Sequence, residues 1–333
     1  MEKELIKFKD FLKESRKVVI TSHRNPDGDA IGSSLAVYHL LKDLGKEVSV
    51  ITPNDYASFL KWLPGCESII EHESDSDLAI KKTQESDLII MLDFNQLYRT
   101  GDYSEIIKKS DAKKILIDHH QEPDLSIADI IFSDPKCCST AQLLFEIIEG
   151  IDMRERVTKD IAECLYVGIL TDTGSFKYPS VNENTHLAIS FLIKKGAEHS
   201  KIHDLIFDNF SSDRIQLLGY CLNKKLRLYP DKKSAIISLN DKELKRFNFK
   251  KGDTEGIVNY PLSIGGIFFS VFIVEKDGIV KLSLRSKGDI DVNKFARKYF
   301  NGGGHINAAG GMSKSSVEET IKKVEEVISL ETI

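Results

Sequence analysis

Residues 18–32 read Val18-Val19-Ile20-Thr21-Ser22-His23-Arg24-Asn25-Pro26-Asp27-Gly28-Asp29-Ala30-Ile31-Gly32. The stretch opens as an apolar β-type run and closes into a helical pattern that continues through Leu41. Between the two lie one imidazole and two carboxylates, on a loop with a Pro and a Gly. In open α/β sheets, loops at the carboxyl ends of strands are where ligands bind. His23, Asp27 and Asp29 are donors suited to Mn²⁺, Mg²⁺ or Zn²⁺, and Gly28 lets the loop turn between the carboxylates. The same residues suit an Asx-type turn in which Asp27 or Asp29 caps the following helix. On this stretch alone both remain open.

Working outward, residues 2–15 suit a helix, 17–22 a first strand and 28–44 a long helix stopped by Gly45. Residues 47–51 suit a second strand, and 55–77 carry no regular pattern. Asp87-Leu88-Ile89-Ile90-Met91-Leu92-Asp93 is almost wholly apolar, as a strand inside a parallel sheet must be. Strands follow at 114–118 and 127–132. Helical patterns then dominate, at 139–150, 157–169, 185–195, 202–207 and 213–223. This alternation predicts a mostly parallel sheet flanked by helices. After residue 224 the pattern changes to strands at 224–229, 234–239, 266–275 and 279–285, with helices at 291–300 and 316–329. The expected organisation is α/β: an N-terminal domain over 1–190, a helical linker over 191–222, and a smaller α+β domain over 223–333. The active site is expected in the cleft between the domains.

Three more element ends carry the chemistry of the first. The third strand ends at Asp93, the fourth at Asp118-His119-His120, and Gly168-Ile169-Leu170-Thr171-Asp172 places Asp172 just after an apolar helix. Each alone has an ordinary explanation as a turn, cap or core residue. Together, four segments deliver Asp or His where a long apolar element stops, and such ends converge on one crevice.

His-x-x-x-Asp-x-Asp at 23–29, Asp93, Asp118-His119-His120 and Asp172 resemble, in order and spacing, the four motifs of the DHH phosphoesterase superfamily. Leu284-Arg285-Ser286, Asp291-Val292-Asn293, Gly302-Gly303-Gly304-His305 and Ala308-Ala309-Gly310-Gly311 resemble the DHHA1 domain. Length and two-domain plan are most similar to the soluble bacterial branch that degrades very short RNA and dephosphorylates adenosine 3′,5′-bisphosphate (pAp). The resemblance implies two divalent cations, best Mn²⁺ with Mg²⁺ or Co²⁺ also compatible. His23, Asp27 and Asp93 would hold one, and Asp29, Asp93, His119 and Asp172 the other. Asp118 would orient a neighbouring histidine, and His120 would donate to the scissile phosphate or leaving oxygen; Asp93, Asp118 and His120 are thus the catalytic candidates. Arg285, Gly302, Gly303, Gly304 and His305 would hold substrate. The three glycines would present backbone N–H groups to a phosphate as a nest, and Arg285 would offer a planar fork. Hydrolysis would need no covalent enzyme intermediate. Soluble hydrolysis of cyclic-di-AMP or its linear product, and a non-catalytic nucleotide-binding role, are the competing expectations.

Bulk properties are compatible with this. At 333 residues, 41% hydrophobic and 29% charged, the chain is an ordinary globular sequence. No apolar run approaches the roughly 20 residues of a membrane-spanning helix, and the amphipathic start lacks a signal-peptide core. The five cysteines form no C-x-x-C pair, which suits reduced thiols in a cytoplasmic protein. Net charge is −5 overall, but −11 over 1–222 and +6 over 223–333. An acidic part that binds cations joined to a basic part that holds an anion fits that division. The expected partners are short RNA oligonucleotides and small nucleotides as substrates, and a homodimer is an allowed assembly.

Overall fold

Strand β1 (Lys17–Ser22) follows helix α1 (Glu2–Glu14) and occupies the middle of a six-stranded sheet. The chain leaves it through α2 (Gly28–Asp43) to β2 (Glu47–Thr52) and the two-residue β3 (Ile70–Glu71) on one side. It returns through α3 (Ser76–Gln84) to β4 (Leu88–Leu92) on the other side of β1. Helix α4 (Tyr103–Lys109), β5 (Lys113–Asp118) and β6 (Ile130–Ser133) continue outward. The order is β3-β2-β1-β4-β5-β6, with every pairing parallel. The direction of winding therefore reverses between β1 and β4, the switch point where doubly wound sheets bind ligands. The structure, a computed structural model, describes residues 2–276 and 278–330.

The two-residue side-chain period divides the apolar residues between the two faces of this sheet. Val18, Ile20, Ile90, Leu92, Ile115 and Ile117 face one core. That core is closed by α2, α5 (Thr140–Gly150), α6 (Lys159–Asp172), α7 (Glu183–Lys194) and α8 (His199–Phe207). Val19, Ile89, Met91 and Leu116 face the other, under Ala79 of α3 and Tyr103 and Ile107 of α4. Helices α2 and α6 cross with their backbones nearly touching: a Cβ on Gly32 would lie 2.5 Å from the Cys164 carbonyl oxygen. This close crossing lets the first turn of α2, with Asp29, reach the start of α5.

The chain divides into two compact units, Met1–Asn209 and Phe210–Ile333. In the second, α9 (Ser212–Tyr220) leads through a π-helical turn, Cys221–Lys225, into β7 (Arg227–Tyr229). Strand β8 (Ser234–Leu239), α10 (Asp241–Arg246), β9 (Phe269–Lys276) and β10 (Ile279–Ser286) follow. The unit ends with α11 (Val292–Phe300), β11 (Gly303–Gly304), β12 (Ala308–Ser313) and α12 (Val317–Leu330). The sheet order is β11-β12-β10-β9-β8-β7, with β8 and β9 parallel and the other pairs antiparallel. Helices α11 and α12 cover one face through Phe295, Phe300 and Val324. Leu217 of α9 and Leu244 of α10 pack on the other. The expected mixture of strands and helices is present. The strand expected from 224 is shortened to Arg227–Tyr229 because the helical turn runs on through Lys225.

Candidate metal centre

The carboxyl ends of β1 and β4 lie side by side, with Ser22 paired to Leu92, so the residues that follow, His23 and Asp93, emerge together. The loop after β1 is held by a reciprocal pair: Asn25 N–H donates to Asn54 Oδ1 at 2.7 Å, and Asn54 Nδ2 donates to Asn25 Oδ1 at 3.0 Å. His23 Nδ1 donates to the Arg24 carbonyl at 2.9 Å. A carbonyl can only accept, so Nδ1 carries the proton and neutral His23 turns the Nε2 lone pair the other way. Nε2 lies 3.4 Å from Asp93 Oδ2 and 3.9 Å from Asp27 Oδ2. Capping and ligation by Asp27 are not alternatives. Its Oδ1 accepts from the N–H groups of Asp29 and Ala30 at the start of α2, while its Oδ2 faces His23.

His119 repeats the arrangement. Its Nδ1 donates to the Cys137 carbonyl at 3.2 Å. Its Nε2 lies 3.4 Å from Asp172 Oδ2, 3.6 Å from Asp93 Oδ1 and 3.8 Å from Asp29 Oδ2. Asp172 is the last residue of α6. Asp29 is clamped by the first turn of α5, whose Thr140 and Ala141 N–H groups donate to Oδ2 and Oδ1 at 2.6 and 2.9 Å. Unpaired amides and the helix dipole both favour an anion there. Asp93 is 2% exposed and adopts a left-handed backbone, φ 66°. Such a conformation in a buried non-glycine residue persists only where its surroundings hold it.

His120 lies differently. Its Nδ1 donates to Asp118 Oδ1 at 2.7 Å, and Asp118 Oδ2 is buried with no hydrogen-bond partner among the described residues. Ligand atoms of His23, Asp27 and Asp93 lie within 4.8 Å of one another, as do those of Asp29, Asp93 and His119, and those of Asp93, Asp118 and His120. Asp93 belongs to all three sets, presenting Oδ2 to His23 and Oδ1 to His119.

The electrostatics describe a site short of positive charge. Burial, then the charges of Asp93, Asp172 and Asp27, push the Asp29 carboxyl well above the usual range. Burial and the Asp93 charge push Asp118 up to about 7. Burial opposes charging of both His23 and His119, yet the surrounding carboxylates raise both above the ordinary imidazole value. Buried carboxylates clustered around imidazole lone pairs draw protons when nothing else neutralises them. Mixed imidazole and carboxylate donors are also what divalent cations of the Mn²⁺ class prefer. The donor set therefore fits divalent metal.

In the second unit, Arg285 stands on β10 opposite Ala308, and its Nη1 donates to the Leu284 carbonyl. The glycine run makes hydrogen bonds within its own unit. Gly302 N–H donates to the Ala296 carbonyl at 3.2 Å and Gly304 N–H to Asn293 Oδ1 at 3.0 Å. Two of the three expected phosphate donors are thus engaged within the fold. Gly302 and Gly304 are required by close strand approach: a Cβ on Gly302 would lie 1.9 Å from the Gly310 oxygen, and one on Gly304 2.4 Å from the Ala308 oxygen. His305 follows in a tight turn, its N–H donating to the Ala308 carbonyl at 2.7 Å. Sequence reasoning did not reach Thr140 or the Cys137 carbonyl, which act through a hydroxyl and a backbone atom, and gave Asn293 no role of its own.

Residues 17–169 match the DHH family N-terminal domain, and residues 233–330 match the DHHA1 domain. The crystal structure of an exopolyphosphatase-related protein from Bacteroides fragilis superposes with a TM-score of 0.94. It is 40% identical, with 99% of this chain and 96% of that chain covered. The bifunctional oligoribonuclease and PAP phosphatase of Bacillus subtilis is 28% identical, over 88% of each chain. The cyclic-di-AMP phosphodiesterase of the same organism is 27% identical over 96% of this chain but only 48% of its own, so this chain spans about half its length. The chain belongs to the DHH family, carries a DHH domain followed by a DHHA1 domain, and is a metal-dependent phosphoesterase.

Proposed function

We propose that the protein hydrolyses short oligoribonucleotides to mononucleotides and removes the 3′-phosphate of pAp. The observation that carries this reading is the sharing of Asp93 between two donor sets, with His120 beside them. His23, Asp27 and Asp93 would hold one divalent cation, and Asp29, Asp93, His119 and Asp172 a second, Mn²⁺ for preference. Such cations supply Lewis-acid charge that lowers the pKa of a coordinated water and offsets charge on the phosphoryl oxygens.

The chain's own residues do the rest. Asp118 accepts a hydrogen bond from His120 Nδ1, which fixes the orientation of the ring. Charged His120 can donate from Nε2 to a phosphoryl oxygen or to the leaving oxygen. No serine or cysteine is needed as a nucleophile: the thiols of Cys137 and Cys138 are buried and pushed up by that burial. Residues 1–190 would carry the chemistry, 191–222 the connection, and 223–333 the grip on substrate through Arg285, Gly302, Gly303, Gly304 and His305. With Gly302 and Gly304 N–H engaged internally, the side chains of Arg285 and His305 are the main anion donors in this reading.

The named activity of the Bacillus subtilis relative, matched over 88% of both chains, supports this substrate class. Cyclic-di-AMP hydrolysis is the second reading, supported by a relative that matches 96% of this chain. Five free thiols, four of them buried, suit a cytoplasmic location. Among the described residues no helix is long and apolar enough to cross a membrane. The deciding experiment compares pAp, a 5′-phosphorylated diribonucleotide and cyclic-di-AMP with Mn²⁺. Release of AMP from pAp and of mononucleotides from the dinucleotide supports the proposal, and turnover of cyclic-di-AMP alone contradicts it.

A further inference from the structure

Arg99 lies six residues after Asp93, in the 3₁₀ turn Leu97–Thr100. Its carbonyl accepts the Arg24 N–H at 2.7 Å, which joins this turn to the loop that carries His23. The two arginines are then treated differently. Arg24 is engaged within the protein, with its guanidinium 2.5 Å from Glu73. Arg99 is half-buried, and among the described residues its guanidinium has no ion-pair or hydrogen-bond partner. Its positive charge nonetheless reaches groups at the carboxyl ends of three different strands. It lies within electrostatic reach of His23, Asp93 and Asp118.

A partly desolvated guanidinium beside carboxylates would ordinarily be drawn into a salt bridge, because burial without a partner is costly. Here the carboxylates are turned toward the imidazoles and α5, and the turn tied to Arg24 keeps Arg99 beside them. The planar fork of arginine matches the oxygens of a phosphate. We propose that Arg99 is a substrate-binding residue of the first unit, whose guanidinium receives phosphoryl oxygens of the phosphate ester next to the carboxylate cluster. This rests on the phosphoesterase assignment and not on which nucleotide is the substrate.

The test uses the full chain loaded with Mn²⁺, as wild type, Arg99→Ala and Arg99→Lys. Calorimetry measures the binding of inorganic phosphate and of Mn²⁺, and bis(p-nitrophenyl) phosphate reports KM and kcat. Loss of a charge-assisted contact predicts phosphate binding and KM weakened about 10- to 100-fold in Arg99→Ala, with part recovered in Arg99→Lys. Affinity for Mn²⁺ should hold or rise, since a positive charge beside the cations has been removed. Unchanged phosphate affinity would overturn the proposal. So would loss of Mn²⁺ affinity and melting temperature in step with activity, which marks a residue that only supports the fold. If wild type takes the synthetic diester but neither pAp nor the dinucleotide, the substrate reading fails while the Arg99 comparison still stands.

Discussion

Thr140 Oγ donates to Asp93 Oδ1 at 3.0 Å, and the amide of the same residue donates to Asp29 Oδ2 at 2.6 Å. One residue at the start of α5 thus fixes two carboxylates that arrive from different elements, one in the first turn of α2 and one just beyond β4. Partners of this kind set how well a ligand is oriented before metal arrives. Thr140→Val should weaken Mn²⁺ binding by about 10- to 100-fold, and Thr140→Ser should keep most of it. Calorimetric titration separates the two, and equal affinities for wild type and Thr140→Val would show the hydroxyl to be idle.

Asp93→Asn keeps a residue that tolerates φ 66° while removing the shared charge. The variant should fold, with a melting temperature close to that of metal-free wild type, and lose at least about 10³-fold in kcat, the scale seen when a key electrostatic group is removed. Near-wild-type turnover by a folded Asp93→Asn would remove Asp93 from the chemistry.

Stability without metal should depend on pH with a defined sign. Asp118 sits at about 7 in the folded protein, and Asp29, His23 and His119 also lie above their ordinary values. Groups raised by folding contribute stability that is complete below their unfolded pKa and is lost as pH rises through the folded value. For Asp118 that loss begins near its ordinary carboxylate value of 3.8 and is complete just above about 7. Thermal melts of metal-free protein should therefore fall between about pH 6 and 8, a window from the same linkage. Saturating Mn²⁺ should remove the fall and stabilise more at the higher pH. A metal-free melting temperature that rises over this window contradicts these electrostatics.

Much of the centre is legible in the sequence because its donors close long apolar runs: His23 after Val18-Val19-Ile20, Asp93 after Ile89-Ile90-Met91-Leu92, and Asp118 after Ile115-Leu116-Ile117. The strands themselves are equally plain, since a strand buried on both faces has almost no polar residues. Helix α3 is not plain. It buries only Ala79 and Thr83, and its lysines and aspartates hide a helical period. Strand β12 is missed for the opposite reason: Ala308-Ala309-Gly310-Gly311 has no β-branched side chain, and its place is set by the close approach of Gly302 and Gly304. Arg99 escapes notice because its placement depends on a backbone bond from Arg24, 75 positions away, which no local pattern encodes.

The thiols give an independent check on burial. Burial pushes Cys138 and Cys221 up to about 12 and raises Cys66 as well, but Cys66 is the one of the five with partial exposure. Iodoacetamide at about pH 8, near the ordinary thiol value, should label Cys66 first and the other four only on unfolding, read by peptide mass spectrometry. Early labelling of Cys137 or Cys138 would mean that the wall behind His119 is open.

The close crossing of α2 and α6 predicts that Gly32→Ala destabilises, because the added methyl meets the Cys164 carbonyl and the Gly168 amide rather than a movable side chain. The cost should be about 1–3 kcal/mol by denaturant unfolding, with Mn²⁺ affinity reduced as Asp29 is displaced. A neutral substitution would show that the helices can part without consequence.

The sharing of Asp93 between two cations is tested most directly by electron paramagnetic resonance of the Mn²⁺-loaded protein, with stoichiometry measured alongside. Two ions per chain and a spin-coupled signal are expected in wild type, replaced in Asp93→Asn by uncoupled or singly bound Mn²⁺. One isolated ion per chain in wild type, or coupling that survives in Asp93→Asn, would contradict that sharing.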